Sequence, residues 1–149
     1  MYNSLWNEKT EKIDLRDMDY IVRFPYFVYQ ISRISKHLER EEINQALRKV
    51  RILIDGTCMY VLKKAYGTQP KDTYYFLICD EFEKQGEESI PLFLKDLHGS
   101  LSIAYDCGGV EEDDVIDLVQ RFDFLLRIVT KRYPQVVDDL ESGVEKYFK

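Results

Sequence analysis

Apolar side chains recur at helical spacing along most of this chain, and the breaks between the stripes coincide with proline, glycine or clustered charge. Phe27, Val28, Ile31, Ile34, Ser35 and Leu38 follow an i, i+3, i+4, i+7 pattern that predicts a helix opening at Pro25, since proline is tolerated in a first helical turn. The charged stretch Arg40 to Glu42 interrupts it. Ile43, Ala46, Leu47, Val50, Leu53, Ile54, Thr57, Tyr60 and Val61 then trace a wide apolar face, predicting a second helix from Glu42 to Tyr66 that stops at Gly67. Gly56 inside it costs about 1 kcal/mol relative to Ala, which points to close packing there.

A third helix is expected from Tyr74 to Gln85, capped by Asp72 or Thr73 and ended by Gly86. Tyr74 to Cys79 also has the aromatic, apolar look of a strand. The continuation of Ile78 to Phe82 and the i+4 pair Asp80–Lys84 favour helix. Ser89 is the expected N-cap of a fourth helix whose face is Leu92, Phe93, Leu97, Leu101 and Ala104. After Cys107-Gly108-Gly109, Glu111 to Asp114 open a fifth helix through Val115, Leu118, Phe122, Leu125 and Val129 to Tyr133, where Pro134 stops it; a short last helix spans Val136 to Phe148. The fold class expected is therefore all-α, an antiparallel bundle of about five helices plus a short C-terminal one, in a single domain over 1–149. Residues 1–15 form an N-terminal arm, polar except for Leu5, Trp6, Ile13 and Leu15, and Asp17 or Asp19 is expected to cap a turn after it.

Composition narrows the function classes. With 27 acidic against 21 basic residues the net charge is -6, which disfavours a protein dedicated to gripping nucleic acid. No apolar run approaches the ~20 residues of a membrane span and the first residues lack a signal-like apolar core, so a cytoplasmic protein without membrane contact is expected. Cys58, Cys79 and Cys107 show no C-x-x-C spacing, His37 and His98 have no ligand partner at helical spacing, and neither a metal nor any other cofactor is expected.

Three clusters are candidates for chemistry. The acidic run at 111–114 suits the partial positive charge of a helix N-terminus better than a calcium loop. Arg33, Lys36, His37, Arg40, Arg48, Lys49 and Arg51 crowd around the first helix–helix connection, and Arg33, Lys36, Arg40, Arg48 and Arg51 are the candidate phosphate contacts. With Glu39, Glu41 and Glu42 interleaved and Arg51–Asp55 at i+4, a solvated face laced with ion pairs is the simpler reading. Eleven tyrosines offer base-stacking rings, but most fall beside apolar stripes, where they fill a core. No nucleophile elbow, Walker loop or dinucleotide glycine motif is present.

The order of features from Ala46 to Tyr133 resembles a subgroup of HEPN domains, small helical bundles of bacterial defence, toxin–antitoxin and restriction-associated proteins. The similarity rests on Ala46, Arg48, Lys49, Arg51, Ile54 and Asp55 in the long helix; on Phe82 to Gly86 followed by Ile90-Pro91 and Leu94; and on the acidic opening at 111–114 leading to Leu118, Leu125 and Leu126. Active members cleave RNA with an Arg and a His near a helix end, facing the same pair of a second subunit. Here the matching stretch runs from His98 to Asp106, with His98 in place of the Arg, Ser102 in place of an Asn and Asp106 or Tyr105 in place of the His. The resemblance thus implies the fold without the nuclease: a homodimer with the fourth helix near its interface, acting through protein–protein contacts with itself and with a larger effector, accessory or regulatory in a bacterial or phage defence, counter-defence or toxin–antitoxin system. Two alternatives stand beside it. His98 and Asp106, which share a helical face with Ser102, can serve a metal-independent ribonuclease, and the Arg33–Arg51 segment can serve an RNA- or nucleotide-binding module.

Overall fold

The computed structural model describes residues 12–148, and the described residues form six α-helices with no strand. Helix α1 spans Pro25–Glu39, α2 Ile43–Val61, α3 Tyr75–Lys84, α4 Ser89–Asp106, α5 Glu112–Arg132 and α6 Leu140–Glu145. Leu5 and Trp6 of the expected arm lie outside the described residues, whereas Ile13 and Leu15 are buried in the core. Neither Asp17 nor Asp19 caps the turn that follows. Asp14 accepts from the Arg16 N–H at 3.0 Å, and the Asp123 carboxylate of α5 accepts from the N–H groups of Tyr20 and Ile21 at 2.9 and 2.7 Å.

Helix α2 is the axis of the bundle, packing against α1, α5 and α6, while α3 and α4 pair at one side with α4 lying along α5. Its apolar face meets Phe27, Ile31 and Ile34 of α1 and Val115 to Val129 of α5 in one core, within which the Phe27 and Phe122 rings meet edge to face at 5.2 Å. Burial of each such side chain contributes roughly 1.5–3 kcal/mol. The connection from α1 to α2 is tight enough to hold Glu41 at φ 61°, a left-handed conformation uncommon outside glycine. Helix α2 ends in a π-helical turn, Leu62–Tyr66, closed by Gly67 at φ 68°, the left-handed C-terminal stop its position foretold.

Several local expectations are corrected. Asp72 and Thr73 do not cap α3; Tyr74 occupies the N-cap position and the Asp72 carboxylate accepts from the Thr73 N–H instead. Ser89 is the first residue of α4, not its cap. The orphan N–H of Ile90 donates to the Glu87 carboxylate at 3.1 Å, a cap set two residues before Ser89 because the Gly86 turn (φ 81°) folds Glu87 back into the core. Leu92 does not continue the buried face of α4; it is 67% exposed. The last helix is broken into a 3-10 turn Pro134–Asp139, α6 and a second 3-10 turn Lys146–Phe148. At the start of α5 the acidic run acts as expected of a helix N-terminus, Asp114 accepting from the Glu111 N–H at 2.8 Å.

Candidate functional site

The basic segment folds into a cleft between α1, α2 and the C-terminal turn. Arg33 and His37, one turn apart on α1, face Gln45, Arg48, Lys49 and Ile52 of α2, and Tyr147 and Phe148 close the third side around about 480 Å3. A second hollow of about 270 Å3 continues along α2 past Ile52 to Asp55 and Gly56, with Thr73 and Tyr147 on its other wall. Arg48, Ile52 and Tyr147 belong to both, so the two form one continuous groove. Lys36 and Arg40 are exposed and line neither hollow, and Arg51 lines neither of them.

Among the described residues little of the ion-pair lacing expected of this segment forms. Among the described residues its only ion pair joins His37 to Glu42 at 2.9 Å, and Arg51 makes none with Asp55. Arg33 donates to its own neighbour, the Tyr29 hydroxyl, at 3.3 Å. Arg48 and Lys49 have no carboxylate partner among the described residues. Lys49 sits over the Phe148 ring at 5.7 Å, and partial burial together with the charges of Arg33 and Arg48 holds its ammonium below the ordinary lysine range. Three cations facing one another without a counter-charge among the described residues are an arrangement that an anion relieves.

At the other end of the groove the Asp55 carboxyl is pushed up to about 6 by burial, against the opposing pull of Arg51, and it accepts no hydrogen bond from a described residue. Tyr147 is 37% exposed and its ring is placed by Gly56, where a Cβ would meet Tyr147 Cδ2 at 3.1 Å and Val144 Cγ1 at 3.3 Å. The close packing foreseen at Gly56 thus shapes the groove. Asp55, Thr73 and Tyr147 were not singled out as site residues from sequence, because a helix face, a loop and a C-terminal turn meet only in three dimensions.

The second candidate set, His98, Ser102 and Asp106, is not brought together. His98 stacks on Tyr75 of α3 with ring centroids 3.9 Å apart and planes 17° apart, while Ser102 and Asp106 are exposed, and no hydrogen bond joins the three. An arginine does lie against this part of α4 from α5. Arg121 donates to Asp117 at 2.8 Å, to Asp96, and to the Ser100 hydroxyl at 3.0 Å, so two carboxylates already engage its charge. Of the tyrosines, Tyr133 is buried and Tyr20, Tyr26, Tyr60, Tyr66 and Tyr75 pack at the core's edge, but Tyr74 and Tyr105 are 60% and 56% exposed.

Cys58 and Cys79 are buried thiols and Cys107 is exposed, none of them in a disulfide. The described residues contain no cluster of three metal-ligating side chains, and none of their helices is long and apolar enough to cross a membrane. No family model, curated protein or solved structure matches this chain.

Proposed function

We propose that this protein is a non-catalytic binding module that takes a phosphate-bearing ligand in the α1–α2 groove. The observation that carries this reading is the convergence of Arg33, Arg48 and Lys49, without a carboxylate partner among the described residues, over the aromatic wall of Tyr147 and Phe148. Guanidinium groups offer forked donors that match phosphate oxygens, and the adjacent rings accept a stacked base or an apolar moiety. The resemblance to HEPN domains enters this reading as a fold carrying another task. Phosphodiester cleavage needs a fixed cation at the phosphate and a group poised to move a proton, and neither His98 on its Tyr75 stack nor the carboxylate-engaged Arg121 supports that arrangement.

The test is titration of inorganic pyrophosphate and of a short single-stranded RNA into the protein, with Arg48→Glu and Lys49→Glu as groove variants and Lys71→Glu as a surface control. Binding that weakens at least tenfold in the groove variants alone supports the reading, and binding unaffected by them sinks it. The RNA is expected to be recovered intact; cleavage abolished by His98→Ala would instead establish the ribonuclease alternative.

A second reading, contact with protein partners, is favoured by the outer face of α4 and α5. Leu92 and Ile103 of α4 are 67% and 66% exposed, and Phe124 of α5, whose ring stacks on Phe93, is 51% exposed. Arg127 and Lys131 lie at the Phe124 end of this face, Glu111 and Asp114 at the Ile103 end. A two-fold axis across α4 would set each basic end against the partner's acidic end, so the fitting partner is a second copy, in the accessory, protein-contacting role that the resemblance implies.

A further inference from the structure

The groove is cationic at one end and acidic at the other, and this polarity names a more specific ligand. We infer that the groove is a guanine-nucleotide site in which Arg33, Arg48 and Lys49 hold the phosphate, Tyr147 stacks on the base and Asp55 reads the base edge. The inference rests on the phosphate-binding reading above and adds the identity of the base.

Arg48 and Asp55 are seven residues apart on α2, about 10 Å along its axis at 1.5 Å per residue. That separation is comparable with the span of a nucleoside monophosphate from phosphorus to the far edge of its base. Between them the groove floor is Ile52, apolar and suited to a sugar–base body, with the Tyr147 ring on the opposite wall. The two hollows, about 480 and 270 Å3, together fall in the roughly 300–1,000 Å3 range of small-ligand sites.

An ionised Asp55 offers acceptors only, and no described donor occupies them. Withdrawing such a group from water is costly unless a ligand returns the lost hydrogen bonds. Guanine presents two adjacent donors, N1–H and the exocyclic amino group, which pair with the two oxygens of one carboxylate. Adenine and cytosine place a ring-nitrogen acceptor beside their amino donor, and uracil places carbonyls on both sides of its single N–H. Each of these sets a lone pair against a carboxylate oxygen. A site built around a hydrogen bond rejects analogues that cannot make it far more strongly than an apolar pocket rejects a change of shape.

The experiment is calorimetric titration of guanosine, adenosine, cytidine and uridine monophosphates, and of inorganic pyrophosphate, at pH 8, where Asp55 is ionised. Wild-type protein is expected to bind guanosine monophosphate at least tenfold more tightly than the other three. Asp55→Asn is expected to erase that preference while pyrophosphate binding persists, and Arg48→Glu to abolish binding of every ligand. Equal affinities for the four nucleotides, or a preference that survives in Asp55→Asn, overturns the guanine assignment and leaves the phosphate reading standing. Failure of the wild-type protein to bind pyrophosphate or any nucleotide overturns both.

Discussion

The ring of Tyr60 on α2 lies directly against the backbone of Gly143 on α6. A Cβ placed at position 143 would sit 2.7 Å from Tyr60 Cγ and nearer still to Cδ1 and Cε1. The contact is between elements 83 positions apart in the chain, and it sets how closely the C-terminal segment, with Tyr147 and Phe148, approaches the groove.

Gly143→Ala is therefore expected to destabilise the fold by about 3 kcal/mol, because a ring held in a packed interface cannot yield cheaply. Gly99 in the middle of α4 is the matched control. A Cβ there meets nothing within 4 Å, so Gly99→Ala is expected to be neutral or to stabilise by up to ~1 kcal/mol through helix propensity. Urea denaturation of both variants checks the pair, and similar losses in the two would contradict the packing described.

Glu87 is a second point of long-range closure. Its buried carboxylate accepts from the Tyr133 hydroxyl at 2.7 Å, from Arg132 at 2.9 Å and from the Ile90 N–H, while Tyr133 and Tyr66 share a hydroxyl contact at 2.7 Å. Burial pushes this carboxyl up, but the hydrogen bonds and the Arg132 charge outweigh it and hold it below its ordinary 4.5. A depressed value in the folded state means that this stability is present above pH 4.5 and lost as pH falls further. Glu87→Gln is expected to lose about 1–3 kcal/mol at pH 7 and to flatten the acid limb of a stability–pH curve. An unchanged acid limb would contradict this role.

Asp55 has the opposite sign. Its folded value of about 6 lies above the ordinary 3.8, so its contribution is fully favourable only below 3.8 and is lost as pH rises through 6. Asp55→Asn is expected to be more stable than wild type by about 2 kcal/mol at pH 8, after allowing for partial solvent screening, and to match it near pH 4. Thermal melts across that range measure the difference; a variant equally less stable at both pH values would show that the carboxylate is instead a satisfied structural group.

The exposed face of α4 and α5 makes a hydrodynamic prediction. Sedimentation at micromolar concentration is expected to give twice the 17.8 kDa chain mass, and Ile103→Glu or Leu92→Glu to return it to one chain. A wild-type monomer would remove this face as a self-contact. Because that face lies on different helices from the groove, the two variants are expected to leave pyrophosphate binding unaltered.

Much of the architecture was legible along the chain. Pro25, Gly67, Gly86 and Pro134 bound helices because proline's missing N–H and glycine's access to positive φ act on the backbone locally. The apolar stripes of α1, α2 and α5 are the buried faces because a 3.6-residue period lines up one side of any helix whatever it packs against. Tyr75, where strand and helix patterns competed, is helical, and its ring stacks on His98. Arg33, His37, Arg48 and Lys49 were visible as a basic segment, but nothing in their spacing separates a solvated, ion-paired surface from cations turned toward one another. Which of these occurs depends on the crossing of α1 and α2 and on the arrival of Tyr147 and Phe148 from the far end of the chain. The same holds for caps: Glu87 and Asp123 replace the expected local residues because a carboxylate already buried by packing satisfies a helix N–H as well as a neighbouring side chain does. Periodicity and backbone chemistry are local and survive in the one-dimensional pattern. The pairing of charges, the exposure of Leu92 and the joining of Asp55 to the cationic end are long-range, and only the folded arrangement of the helices decided them.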